Sequence, residues 1–259
     1  MADYGKFTSL KVEKDGKVLI ITLNKPAEMN VFNEKMHHDV VGIFGEVADD
    51  DTVNAIVLTG AGRMFSAGGD VEMMRRGEMP PPEEAIELIQ NILKVKPPLI
   101  AALNGHAIGV AATVALFCDI IIASEEAKIG DPHVNVGLVA GDGGCIIWPL
   151  LIGMCKAKEM LLTGKSILAK DAEKIGLINY AVPAGEVMNK AMEIAQSLAH
   201  GPAKAIQWTK MAINKKLVGE VNLILQASTG FEYLSMYTED HKEAVSAFLE
   251  KRKPKFSGR

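Results

Sequence analysis

Residues 55–74, "AIVLTGAGRMFSAGGDVEMM", connect an apolar strand to an acidic helix start through a run of small residues. The pattern predicts a strand over Ala55–Gly60 and a helix that opens at Asp70. Small residues are needed where the backbone must come close to another group. A turn at this position would also point free N–H groups at a ligand, as the N-termini of helices do.

A second stretch, "NGHAIGVAAT" (residues 104–113), places small residues between a predicted strand over 98–105 and a predicted helix over 107–117. Two such turns that face each other would supply two convergent N–H donors, which an oxyanion hole requires. Tight turns that only let helices pack on strands have the same spacing. The spacing by itself leaves both interpretations open.

The flanking sequence continues the alternation of strands and helices, starting with a hairpin predicted around Asp15-Gly16. Towards the C-terminus the predicted elements are almost all helices, including two over residues 202–214 and 221–237. We therefore predict one α/β core with parallel strands over residues 1–200 and a helical C-terminal region over residues 201–259.

The composition excludes several classes of protein. The 259 residues carry a formal net charge of −4 and no broad basic stripe, which argues against nucleic-acid binding. The three cysteines have no CxxC spacing and are expected to be free core thiols in a reducing compartment. No signal core and no apolar run approaching ~18 residues is found, so we expect a soluble, cytoplasmic protein without a membrane segment. The six histidines lack metal-ligand spacing, so no metal site is expected.

A specific resemblance is carried, in chain order, by "NKPAEMNVFNEKM", "AIVLTGAGRMFSAGGDVEMM", "PPLIAALNGHAIGVAATVALFCDIIIASEEAKIG", "GLVAGDGG", "AKEMLLTGKSILAKDAEKIGLINYAVP" and "AVSAFLEKRKPKF". These segments resemble the enoyl-CoA hydratase/isomerase (crotonase) superfamily over nearly the whole chain. The resemblance implies a spiral of ββα units whose C-terminal helices assemble trimers, often paired into hexamers. It also implies a coenzyme A thioester whose carbonyl oxygen lies between two backbone N–H groups.

Carried over position by position, the resemblance assigns the two oxyanion-hole donors to the backbone N–H groups of Gly69 and Val110. The family's contacts with the CoA part of the substrate fall on Met29, Val31, Ala67, Asp70, Val71, Phe248 and Lys251. In the family, the pair that matches Phe248 and Lys251 approaches the CoA nucleotide of a neighbouring subunit.

The sequence departs from the family at both catalytic glutamates of the hydratases. Thr113 and His133 stand at these positions. A threonine hydroxyl is no base near neutral pH, whereas an imidazole with a pKa of about 6.5 is one. Asp142, on the loop that follows His133, is the expected partner that fixes the tautomer of the ring. The alternative for Asp142 is a helix N-cap.

Glu72 and Glu232 are further acidic candidates, for which a solvated position on a helix is the favoured interpretation. His37 and His38 are expected to be surface or boundary residues.

Three functions remain open. The first is an enoyl-CoA hydratase or isomerase with altered acid–base residues, most simply hydration of a 2-enoyl-CoA. The second is hydrolysis of a carbon–carbon bond in a β-keto substrate by retro-Claisen chemistry with His133 and Asp142. The third is an acyl-CoA binding protein without turnover. The expected ligand is an acyl-CoA, with a free diketone as the alternative for the second function, and the expected assembly is a homo-oligomer. No cofactor is expected beyond the coenzyme A of the substrate.

Overall fold

The computed structural model describes residues 2–48 and 50–259 and places two sheets at the centre of the molecule. The strands in chain order are β1 (Leu10–Asp15), β2 (Val18–Leu23), β3 (Ala55–Gly60), β4 (Leu99–Leu103), β5 (Ala107–Ile108), β6 (Ile120–Ser124), β7 (Lys128–Gly130), β8 (Ser166–Leu168) and β9 (Tyr180–Val182). The larger sheet has the order β1-β2-β3-β4-β6-β9 and the smaller one β5-β7-β8. In the larger sheet only the β1–β2 hairpin is antiparallel, as the turn pair predicted.

The helices surround these sheets and follow the last strand. They are α1 (Glu34–Ala48), α2 (Val71–Arg76), α3 (Pro82–Lys94), α4 (Val110–Leu116), α5 (Gly144–Thr163), α6 (Ala169–Lys174), α7 (Val187–Ala199), α8 (Ala203–Met236) and α9 (Glu239–Leu249). Short 3₁₀ turns lie at Pro26–Glu28, His133–Val136 and Ala184–Glu186. The predicted α/β architecture is thereby confirmed, with a C-terminal region that is helical in the described residues.

Helices cover both faces of the parallel strands, which explains why β3 is buried at every position. Alternate residues of a strand point to opposite faces. Ile56 and Leu58 belong to the large core that contains α1 and α3, whereas Ala55 and Val57 pack with residues of α7. A strand that is covered on both faces has a continuous run of apolar residues in its sequence.

Three elements differ from the prediction. The helix expected from residue 107 begins at Val110, because residues 107–108 pair with β7 and Gly109 turns the chain with φ 58°. Strand β8 was not predicted, since its three residues form only a short edge. The helices expected over residues 202–214 and 221–237 form one continuous helix, α8. Gly219 lies inside this helix, where a glycine typically costs about 1 kcal/mol of helix stability relative to alanine.

The C-terminal helices close over the core rather than extend from it. Helix α8 packs against α3 and α5, and α9 packs against α2 and the 3₁₀ turn at residues 133–136. Among the described residues, no helix combines the length and the apolar character that crossing a bilayer requires. The expectation of three core thiols is wrong for Cys155, which is exposed, whereas Cys118 is buried.

Candidate active site

The two small-residue turns of the sequence touch each other through their backbones. Gly68 has φ 91°, and a Cβ atom at this position would lie 2.6 Å from the carbonyl oxygen of Ile108. The next residue along the second turn, Gly109, has φ 58° and ψ −131°, a conformation that only glycine adopts readily. The two turns therefore face each other, and the small residues are needed for this close approach.

Both predicted oxyanion donors line one cavity. The backbone N–H groups of Gly69 and Val110 donate no hydrogen bond within residues 2–48 and 50–259. Val110 is the first residue of α4, so its N–H has no acceptor inside the helix. The cavity therefore has two unused backbone donors in its wall.

His133 lies at the same cavity, at the start of the 3₁₀ turn that follows β7. Its side chain is only 9% exposed. The ring Nδ1 donates a hydrogen bond to Oδ1 of Asp131, which is buried beneath it. A carboxylate only accepts hydrogen bonds, so this contact places a proton on Nδ1 and fixes the orientation of the ring.

The other ring nitrogen faces two further carboxyl groups. Nε2 of His133 lies 3.8 Å from Oδ2 of Asp142 and 3.7 Å from Oε1 of Glu232. Both distances exceed a hydrogen bond but leave room for a proton relay through one water. The predicted tautomer-fixing bond from Asp142 is wrong, because Asp131 makes that bond on the opposite side of the ring.

Thr113 and Asp142 form a contact of their own. The fully buried Thr113 hydroxyl donates to Oδ1 of Asp142 over 3.2 Å. The N-cap position of helix α5 is Gly143, one residue after Asp142. Thr113 thus orients a carboxyl group instead of meeting the cavity directly.

Burial and mutual charge shift the protonation of this cluster. Burial lowers the pKa of His133, but the charges of Asp131, Asp142 and Glu232 outweigh it and raise this pKa well above the ordinary histidine value. Burial also raises the pKa of Asp142, against the opposing charge of His133. At Glu232, burial and the charge of Asp142 raise the pKa to about 8. The site therefore holds protons that ordinary carboxyl groups would have lost at pH 7.

The far wall of the cavity carries a second buried histidine. His37 is buried, and its Nδ1 lies 3.0 Å from Oε2 of Glu84, whereas its neighbour His38 is exposed. Burial lowers the pKa of His37, with partial compensation by Glu84. The expectation that both are surface or boundary residues is thus wrong for His37. The other cavity-lining residues are Phe32, Met73, Met74, Met79, Pro80, Ala85 and Tyr233.

A second cleft continues from the cavity along the outer side of the Gly68–Gly69 turn. Its lining includes Ala67, Val71 and Phe248, and it reaches His133. Phe248 enters this cleft from α9 of the same chain, whereas the resemblance implied a contact across a subunit boundary. The structure therefore brings three of the predicted CoA-binding residues together.

The remaining predicted CoA-binding residues occupy other positions. The carboxylate of Asp70 caps α2, accepting from the N–H of Glu72 over 2.9 Å. Met29 is partly exposed and joins the turn only through its carbonyl oxygen, which accepts from Ala67 N–H. Val31 is half-buried, and Lys251 is exposed beyond the end of α9.

Asp131 and His37 were not predicted as site residues, and Glu232 was only a further candidate. For Asp131 a signal was available, because it stands two residues before the candidate base in "DPH". Glu232 was expected to be solvated, as most helical glutamates are, yet it is 5% exposed. Only the packing of α8 on the loop before α5 reveals its burial.

The cluster also has to be considered as a cation site. Ligand atoms of Asp131, His133 and Asp142 lie within 4.8 Å of one another. However, Nδ1 of His133 and Oδ1 of Asp131 already form a hydrogen bond with each other. The contacts favour acid–base chemistry.

Comparison with known proteins agrees with this geometry. Residues 13–259 match the enoyl-CoA hydratase/isomerase family. The short-chain-enoyl-CoA hydratase of Clostridium acetobutylicum is 36% identical over 247 residues, covering 93% of this chain and 95% of that protein. The 1,2-epoxyphenylacetyl-CoA isomerase of Escherichia coli is 33% identical over 262 residues, covering 98% and 99%.

A solved structure supports the same assignment. An enoyl-CoA hydratase from Mycobacterium avium subsp. paratuberculosis has a TM-score of 0.89 at 27% identity, covering 96% of this chain and 98% of the other. The chain belongs to the enoyl-CoA hydratase/isomerase family. Relatives of similar identity bear the names of different reactions, so the residues of the site must decide between them.

Proposed function

We propose that this family member hydrates a 2-enoyl-CoA through an enolate, with His133 as the general base. One observation carries the proposal: Nε2 of His133 faces the same cavity as the two unused N–H groups of Gly69 and Val110. A base beside a pair of convergent donors suits the addition of water to a carbon conjugated with a thioester.

The reaction begins with the acyl-CoA placed along the cleft of Ala67 and Val71, its carbonyl oxygen between the N–H groups of Gly69 and Val110. Neutral His133 takes a proton from water on Nε2 while the water oxygen bonds to Cβ. The electron pair of the double bond moves towards the thioester, and the negative charge develops on the carbonyl oxygen. The two donors stabilise this enolate, and loss of one such donor typically costs about 3 kcal/mol.

A carbon–carbon bond hydrolase is the second candidate, because His133 and Asp142 replace the arrangement of two glutamates. The same base would direct water to the β-carbonyl carbon of a β-keto substrate. Cleavage of the Cα–Cβ bond would then leave the same enolate between the two donors. Both reactions thus use one base and one oxyanion site and differ in the group at Cβ.

A binding protein without turnover is the least favoured candidate. Asp131 and Glu232 each keep one buried carboxyl oxygen without a hydrogen-bond partner in the described part of the chain. Burial of such groups costs folding free energy, and a site that only binds a thioester has no use for them.

We also propose a homo-oligomer, a trimer or hexamer, in which residues 201–259 supply much of the contact. Several large apolar side chains of α8 are exposed in the single chain, among them Leu223 at 76% and Leu234 at 66%. Exposed apolar side chains of this number on one helix are typical of an interface. They are Trp208, Met211, Ile213, Leu223, Phe231 and Leu234.

Incubation with crotonyl-CoA and, separately, with acetoacetyl-CoA tests the reaction. We expect crotonyl-CoA to lose its conjugated chromophore and yield 3-hydroxybutyryl-CoA. Conversion of acetoacetyl-CoA to acetate and acetyl-CoA, with crotonyl-CoA unchanged, would establish the carbon–carbon hydrolase instead. Binding of both without conversion would leave only the binding protein.

A further inference from the structure

Glu232 is a buried carboxyl group at the cavity that the proposed hydration step does not use. It belongs to α8, is 5% exposed and lines the cavity beside Asp142 and His133. Its Oε1 lies 3.7 Å from Nε2 of His133. Its Oε2 has no hydrogen-bond partner within residues 2–48 and 50–259. Glu232 thus combines a position in the cavity wall with a buried oxygen that has no partner in this part of the chain.

Specific contacts hold α8 in the position that buries this carboxyl. The Ser228 hydroxyl donates to the carbonyl oxygen of Gly141 over 2.8 Å, and the Thr229 hydroxyl approaches the same oxygen at 3.3 Å. A Cβ atom on Gly141 would lie 2.6 Å from Cβ of Glu232 and would also meet the Ser228 carbonyl. The Tyr233 hydroxyl donates to the carbonyl oxygen of Pro80. Glu232 is therefore fixed from both sides of its helix turn.

We infer that Glu232 is a catalytic acid that delivers a proton to Cα of the enolate. The inference rests on the proposed enolate chemistry and supplies its missing second half. It places the second proton-transfer group on α8, whereas the family's two glutamates would stand at residues 113 and 133.

The proton balance of hydration closes with this assignment. Water gives one proton to Nε2 of His133, and its oxygen forms the bond to Cβ. The carboxyl proton of Glu232 then bonds to Cα as the enolate electron pair returns, which restores the thioester. The resulting Glu232 carboxylate recovers a proton from the His133 imidazolium, 3.7 Å away, through one water. Both groups are regenerated, and the net reaction adds one water.

The surroundings of Glu232 keep its carboxyl protonated. Burial, with the charge of Asp142, raises its pKa to about 8, although His133 opposes this shift. The titratable groups that face it are His133, Asp131, Asp142, Cys145 and Tyr233. An ordinary glutamate would be ionised at pH 7 and would have no proton to give.

Exchange of the α-protons of butyryl-CoA in D₂O tests this role without any addition of water. In this direction Glu232 acts as its carboxylate, removing a proton from Cα and returning a deuteron, which mass spectrometry detects. We expect Glu232→Gln to slow exchange at least about 10²-fold. The wild-type exchange rate should rise with pH through an ionisation near 8, and Glu232→Gln should lose this dependence.

Two further variants control for folding and position. Glu220→Gln alters a glutamate on the same helix, roughly 18 Å away along its axis, and should exchange at the wild-type rate. Glu232→Asp keeps a carboxyl but withdraws it by one methylene, so its rate should fall between wild type and Glu232→Gln. Such a rescue would not be expected if the side chain only packed against Gly141.

The outcomes separate this inference from the proposed reaction. Exchange that depends on Glu232 supports the inference even if crotonyl-CoA is not hydrated, because exchange needs only the enolate. Wild-type exchange in folded Glu232→Gln overturns it even if hydration is observed. Absence of exchange in the wild-type protein overturns it as well.

Discussion

Nδ1 of His133 donates a hydrogen bond to Asp131, and this bond leaves Nε2 directed at the cavity. In the neutral ring Nε2 then carries the lone pair, which is the state that a general base requires. The residue that orients the base is therefore its neighbour two positions earlier, and Asp142 lies on the reacting side of the ring.

We expect Asp131→Asn to change the profile of kcat against pH in two ways. The rise of kcat should occur at lower pH, and the plateau that kcat reaches should be lower. The charge of Asp131 raises the pKa of His133, and a base works above its own pKa, so removing that charge shifts the onset downward. An asparagine amide can also donate to Nδ1 and favour the wrong tautomer, which should cost at least about tenfold in kcat. The measurement is kcat against pH with crotonyl-CoA. An unchanged profile would contradict the assignment.

Asp142→Asn offers the matched comparison. The carboxylate of Asp142 also raises the pKa of His133, so its removal should again move the onset of activity to lower pH. The Asp131 bond to Nδ1 remains, however, so the plateau should fall less than in Asp131→Asn. A larger loss of plateau in Asp142→Asn would show that Asp142, and not Asp131, governs the tautomer.

Gly69→Pro should abolish turnover, because proline has no N–H to offer the enolate oxygen. Binding of coenzyme A should stay within about tenfold, or ~1.4 kcal/mol, of wild type. Gly69→Ala is the control, since it keeps the N–H and its Cβ would meet only the end of the flexible Met74 side chain, at 2.7 Å. Full activity of a folded Gly69→Pro protein would rule out this donor.

The protein should sediment at micromolar concentration as a trimer or a larger assembly. Leu223→Lys places a charge on an apolar side chain of α8 that is 76% exposed in the single chain, so it should shift the distribution towards monomer. Tyr180→Lys, on a partly exposed aromatic residue of β9, should leave the distribution unchanged. A stable wild-type monomer would contradict the proposed assembly.

The sequence predicted the parallel core well where local patterns and burial agree. The apolar run Ala55–Gly60 is β3 with the same bounds, since both of its faces are covered. Residues 107–109 were assigned to a helix because they resemble its interior, and only pairing with β7 shows that they precede it. Such pairing joins segments that are distant in the chain and leaves little local signal.

For the site, the sequence identified the residues on the two turns and on the loop after β7. It favoured a solvated position for the acidic candidate Glu232, because a glutamate on a largely exposed helix has no local feature that indicates burial. Its burial depends on Ser228 and Thr229 reaching the carbonyl of Gly141, a contact between distant segments. The hydrogen bond between Asp131 and His133 could have been predicted, because the two residues are only two positions apart. The sequence instead favoured Asp142 as the partner of His133, because that pairing resembled a known catalytic His–Asp pair more closely.

The pH dependence of crotonyl-CoA hydration by wild-type and His133→Ala proteins tests the central claim most directly. On the acid side, kcat of the wild-type protein should rise with pH through one ionisation above about 6.5, because neighbouring carboxylates raise the pKa of His133. His133→Ala should lose at least about 10²-fold in kcat together with this ionisation. A wild-type rate that is flat between about pH 5 and 8, with His133→Ala fully active, would contradict the role of His133 as the base.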